Sequence, residues 1–115
     1  MASILKSSSP QTFLPLDKKN DMRTHTKNLR NEQMSIVKFA EYLTIYKKHS
    51  KPLVDYMTQM FEEESQKIKG NNLAEKRLLY FYVANETIFK TKEYGIFYIK
   101  AFGDRLHDWV DIFTK

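Results

Sequence analysis

Residues 78–84, Leu-Leu-Tyr-Phe-Tyr-Val-Ala, are the longest unbroken apolar run in this chain of 115 residues. Seven residues fall far short of the roughly 20 that span a bilayer, and by length alone they fit either a buried strand or part of a helix. The flanks favour a helix. Asn72 with Glu75 three residues later resembles a capping box, and apolar positions continue at Ile88 and Phe89. The pattern predicts a helix over Leu73–Thr91, apolar around most of its circumference, as expected of a central helix packed on several sides.

The other segments follow suit. With three Gly, three Pro and no bounded period-two alternation, the chain offers almost nothing to a sheet. Met22, Thr26 and Leu29 suggest a short helix over Lys18–Arg30, after a flexible lead-in over residues 1–16 rich in Ser and Pro. Ile36, Phe39, Ala40, Leu43 and Tyr46 lie at helical spacing and predict a helix over Gln33–Lys48, with Asn31 placed to cap it. Ser50 and Pro52 suit the start of a third helix, whose buried face is Leu53, Val54, Met57, Met60 and Phe61, and Gly70-Asn71-Asn72 closes it. After Gly95, the residues Ile99, Phe102, Leu106, Trp109, Val110 and Phe113 predict a last amphipathic helix. The expected architecture is one all-α domain of five helices over residues 17–115. Phe102, Leu106, Trp109 and Phe113 need a cover, which the preceding helices, a partner or a further segment could supply, so self-association through that face is also an expectation.

Composition narrows function by exclusion. No Cys is present, and His25, His49 and His107 are too far apart for a paired zinc site, so neither metal nor cofactor is expected. No glycine-rich phosphate loop or nucleophile elbow occurs, which points away from an enzyme. Asn85-Glu86-Thr87 fits a glycosylation sequon, but it falls inside a predicted helix behind a terminus without signal-peptide character. Residues 1–52 carry ten Lys or Arg against four acids, whereas residues 53–115 carry nine against ten. The excess favours an anionic partner without choosing among nucleic acid, phosphopeptide and lipid.

Asn85 and Glu86 interrupt the most apolar helix. A polar pair on a central helix is either hydrogen-bonded internally or lines a groove, where Tyr82 and Phe89 would flank it.

The segment Leu78-Leu79-Tyr80-Phe81-Tyr82-Val83-Ala84-Asn85-Glu86-Thr87-Ile88 resembles the "LxxLYLANDVI" segment of the CID or RPR domain, which binds the C-terminal repeat domain of RNA polymerase II. Asn31–Ile36 is similar to that family's turn into its second helix, and Tyr46–Val54 to its "HRKHAGPIV" junction. Lys92–Gly95 with Phe97–Phe102 resembles the entry to its fifth helix. The resemblance covers about Met22–Lys115 and is nearest the subgroup of regulation of nuclear pre-mRNA proteins.

It implies a right-handed superhelical stack of helical hairpins like that of ENTH and VHS domains. The family has about eight helices, and five are found here, so the domain is expected to be incomplete at its C-terminus. It further implies a nuclear, non-enzymatic module that recognises the polymerase heptad peptide in transcription termination and pre-mRNA 3′-end processing. By position, Tyr82, Asn85, Glu86 and Phe89 would line the peptide groove, with Asn85 touching a serine hydroxyl or the peptide backbone. Asn31 and Gln33 would stand at one end, and Lys47, Lys48 and Lys92 would add long-range attraction. The family's phosphate-pairing arginine comes from a seventh helix, and Arg23, Arg30, Arg77 and Arg105 do not match it. The alternative is a VHS- or ENTH-like trafficking adaptor, in which Lys18, Lys19, Arg23, Lys27 and Arg30 would face anionic lipid, or which would bind sorting peptides.

Overall fold

A computed structural model describes residues 14–68 and 70–114 of the chain. Five α-helices account for almost all of it: α1 Leu16–Lys27, α2 Gln33–Ile45, α3 Ser50–Lys67, α4 Asn71–Thr91 and α5 Phe97–Phe113. Short 3₁₀ turns, Lys47–His49 and Lys92–Tyr94, precede α3 and α5. No strand occurs among the described residues, as the sequence pattern predicts. The expected lead-in lies outside the described residues as far as residue 13, and Leu14 is already part of the core.

Several helix ends differ from expectation, for a shared reason. α2 stops at Ile45 because Lys47–His49 tighten into a 3₁₀ turn, and Glu32, not Asn31, is its N-cap. Neither Glu32 nor the N-caps of α3 and α4 form a side-chain capping bond, so the Asn72–Glu75 capping box is not made. Gly70 precedes α4 with φ of 71°, a left-handed conformation that glycine adopts without a Cβ penalty, and its carbonyl accepts from the Leu73 amide. The α1–α2 corner is closed by Ser35, whose hydroxyl donates to the Arg30 carbonyl at 2.7 Å and accepts from the Arg30 amide at 3.1 Å.

The helices alternate between two parallel pairs. α2 packs most extensively on α4, and α3 on α5. Lys76 near the start of α4 donates to the carbonyls of Thr26 and Leu29, just ahead of α2, while past the other end Lys47 lies over the Tyr94 ring and the Tyr98 hydroxyl donates to the Leu43 carbonyl. α2 and α4 therefore run parallel. The same holds for α3 and α5, where Arg105 meets Asp55 and, one turn on, the Trp109 indole donates to Thr58 at 2.7 Å. Pairing each helix with its next-but-one neighbour is what a superhelical stack of hairpins requires.

Aromatic rings fill the junction of α3, α4 and α5. Phe61 stacks on Tyr80 with centroids 4.7 Å apart, and Trp109 meets Phe61, Tyr80, Phe81 and Phe102 edge-on. Such pairs add about 0.5–1.5 kcal/mol each beyond burial. Of the four α5 residues that need a cover, two receive it from the preceding helices: Phe102 is 7% and Trp109 3% exposed, because α3 and α4 enclose that flank. Leu106 and Phe113 remain open, at 55% and 37%.

Burial pushes the hydroxyls of Tyr42, Tyr80 and Tyr98 well above the usual tyrosine value, helped by Asp21 at Tyr42 and by Glu64 at Tyr80. Groups with raised folded pKa values keep their protons in the fold and ionise first in the unfolded chain, so their stabilisation is lost as pH rises past the unfolded value of about 10. Lys76, lowered by burial, works in the opposite sense but is one group against three.

Two outcomes follow. Phe61→Ala should cost about 3–5 kcal/mol in urea unfolding, and a loss below about 1 kcal/mol would contradict the aromatic junction. Urea midpoints should hold to about pH 10 and then fall, and a plateau up to about pH 11.5 would contradict the buried tyrosines.

Candidate functional site

On α4 the core stripe is Leu79, Tyr80, Val83, Ala84, Thr87 and Thr91. The two threonines are accommodated because each hydroxyl donates to the carbonyl four residues back, Thr87 to Val83 at 2.7 Å and Thr91 to Thr87 at 2.8 Å. That stripe leaves the opposite face open. Leu78, Tyr82, Asn85 and Phe89, at successive spacings of four, three and four, are all exposed. α4 is consequently not enclosed all round, and the apolar run divides between core and surface.

Asn85 is exposed, and among the described residues its side chain makes no hydrogen bond, so the internal bond considered for it is not formed. Its carboxamide presents two donors and an acceptor toward solvent between two aromatic rings. Glu86 is half-buried beside it and pairs with Lys90 at 3.8 Å, one turn on. Phe81 turns instead toward α5, where it meets Phe113 and Trp109 edge-on.

The remaining expected residues fall at the two ends of the α2–α4 pair. Asn31 and Gln33 are exposed where α2 begins, close to the end held by Lys76. Lys47, Lys48 and Lys92 gather at the other end: Lys47 covers Tyr94 at 5.0 Å and Lys92 covers Phe89 at 4.6 Å. From Lys76 to Asn85, α4 rises by about 13.5 Å, so Asn85 stands between the two end clusters rather than beside either. Tyr94, Ile45 and Ile96 are also exposed near the lysine end. The sequence reading missed them, although an aromatic between Lys92 and a Gly at a helix break is a usable signal.

Most arginines are engaged in holding the fold. Arg23 donates to Tyr56 and Glu63, Arg77 to Ser65 and to the Phe113 carbonyl, and Arg105 to Asp55 and Asp108. Arg30 lines an open hollow of about 360 Å³ with Thr24, His25, Asn28, Glu32, Met34, Ser35 and Lys38. His25 packs there against the rings of Phe39 and Tyr42, and burial holds its pKa below the usual histidine value. The basic face of α1 is partly spent as well, because Lys18 lies over Tyr46, and Lys19 and Arg23 lie over Tyr56.

Among the described residues, no helix is long and apolar enough to cross a membrane, and no group of acidic or histidine side chains could hold a metal ion. The family model for the CID domain matches residues 20–114. No curated protein matches the chain.

From its exposure, the stripe is predicted to be expendable for folding. Asn85→Ala and Tyr82→Ala should each change stability by no more than about 0.5 kcal/mol in urea unfolding, and a loss above about 2 kcal/mol in either would mean that the face is structural.

Proposed function

The chain belongs to the CID domain family, a family of protein-interaction modules rather than catalysts, and on that premise we propose that it binds the heptad-repeat C-terminal tail of RNA polymerase II across the outer face of α2 and α4. The setting is nuclear, in transcription termination and pre-mRNA 3′-end processing. The observation that carries this reading is Asn85, an uncommitted carboxamide held between exposed Tyr82 and Phe89 on a rigid helix.

Dimensions agree. Seven extended residues span about 23 Å, enough for one heptad to pass Asn85 and approach an end of the α2–α4 pair. Tyr82 and Phe89 offer apolar surface to the tyrosine and proline of the heptad, while Asn85 hydrogen-bonds its backbone or a serine hydroxyl. A rigid, preformed face limits the ordering cost to the peptide. Asn31 and Gln33 meet one end of the peptide, and Lys47, Lys48 and Lys92 attract it at the other.

Phosphate recognition has weaker support. Bidentate capture needs a free guanidinium: Arg23, Arg77 and Arg105 are tied to internal partners, and Arg30 lines the open hollow at the Asn31 end with Glu32, away from Asn85. The lysines supply charge that salt screens, with a Debye length near 10 Å at 0.1 M. The lipid-adaptor alternative is less well supported, since Lys18, Lys19 and Arg23 on α1 are engaged with Tyr46 and Tyr56.

Calorimetric titration with unmodified and phosphorylated two-repeat peptides at two salt concentrations tests the proposal. Both should bind. Asn85→Ala should weaken binding several-fold, corresponding to about 0.5–1.5 kcal/mol for one neutral hydrogen bond, and any phosphopeptide preference should shrink as salt rises. Absence of binding to either peptide would overturn the proposal, and a strong, salt-resistant phosphopeptide preference would overturn its electrostatic part.

A further inference from the structure

α5 carries a second open stripe, distinct from the one on α4. Ile99, Gly103, Leu106, Val110 and Phe113 recur at spacings of four, three, four and three, and the large ones are all exposed. The stripe runs about 21 Å along the helix, and at Gly103 an added Cβ would meet nothing within 4 Å, so a neighbouring helix has room to approach. Its inner flank is closed by Phe102 and Trp109, packed against α3 and α4. The outer flank bears Lys100, Asp104, His107 and Asp111 in that order, all exposed.

That order is self-complementary. If a second α5 lies antiparallel across the first with the two-fold axis at Leu106, Ile99 meets Phe113 of the other copy, Gly103 meets Val110, and Leu106 meets itself. In an antiparallel pair related by a two-fold axis, each outer flank faces its own copy. Lys100 then stands opposite Asp111, and Asp104 opposite His107, each contact occurring twice. In a parallel two-fold arrangement the outer flank would instead face the opposite flank of the second helix, and these four groups would not meet one another. Among the described residues these groups have one weak exposed pairing, Lys100 with Asp104 at 3.5 Å, which an exchange across the axis can replace at little cost.

We propose that the Ile99–Phe113 face of α5 is a homodimer surface, which pairs antiparallel with a second copy of this chain about Leu106. The partner follows from the match of Lys100 to Asp111, made twice by one symmetry operation, together with the apolar stripe they border. The proposal is independent of peptide binding, since none of these residues lies on the α4 stripe.

Sedimentation equilibrium of the chain, without peptide, from roughly 10 µM to roughly 1 mM covers the range in which small interfaces associate. The average mass should climb toward that of a dimer. Leu106→Glu should remain monomeric throughout, with an unchanged far-ultraviolet circular dichroism spectrum because Leu106 is exposed in the single chain. Lys100→Glu places two like-charge contacts across the axis and should weaken the dimer about tenfold, as should Asp111→Lys, and the double variant should recover to within about threefold of the original chain. A native chain that stays monomeric at every concentration overturns the proposal and leaves the face to a different partner. Dimerisation that survives Leu106→Glu overturns it too, as does a double variant no better than either single one, which would refute the antiparallel pairing.

Discussion

Stacking of Phe61 on Tyr80, locked edge-on by Trp109, is the contact on which the arrangement depends, because it is where α3, α4 and α5 meet. It fixes the rotation of α4 about its own axis. With Tyr80, Val83 and Thr87 turned inward, Tyr82, Asn85 and Phe89 have no choice but to face out. A rotation of one residue, about 100°, would bring Asn85 toward the core, where an unpaired carboxamide costs about 1–3 kcal/mol. The core therefore selects which face of α4 stays open as much as that face's own residues do.

A second constraint comes from the ends. Lys76 reaches across to the carbonyls of Thr26 and Leu29, and Tyr98 to that of Leu43, so each end of the α2–α4 pair is fastened by a buried or half-buried hydrogen bond. All three bonds join residues far apart in sequence. They hold the turn before α2 and the turn after α4 at opposite ends of one rigid platform, which is what lets Asn31 and Gln33 stand at one end and the lysines at the other. The proposed peptide would need no moving part to lie along it.

Much of the fold was legible because helical periodicity depends only on which residues avoid water. Ile36, Phe39, Ala40 and Leu43 on α2, and Leu53, Val54, Met57, Met60 and Phe61 on α3, are buried as their spacing requires. α4 was legible as a helix but not in its rotation. Leu78 through Ala84 are apolar all round and carry no contrast between faces, and the core stripe continues through Thr87 and Thr91, whose hydroxyls are satisfied by the helix itself. Capping was misjudged at Asn31 and Asn72 for a related reason. Those ends are closed by other residues, by Ser35 within α2 reaching back to the Arg30 backbone and by the Gly70 carbonyl, which the capping motifs do not reveal. Of the candidate site, Tyr82, Asn85 and Phe89 do share one open face, while Tyr94 joins the lysine end through a contact with Lys47 that sequence distance conceals.

Amide chemical-shift mapping on adding an unmodified two-repeat heptad peptide tests the central claim, that the outer face of α2 and α4 is a peptide platform, most directly. The predicted result is a continuous patch of shifts through Tyr82, Asn85, Glu86 and Phe89 that reaches Asn31 and Gln33 or Lys47 and Lys92, with the outer flank of α3 around Asp55 and Gln59 unmoved. Shifts centred on α3 or on the basic face of α1, or none at saturating peptide, would contradict it.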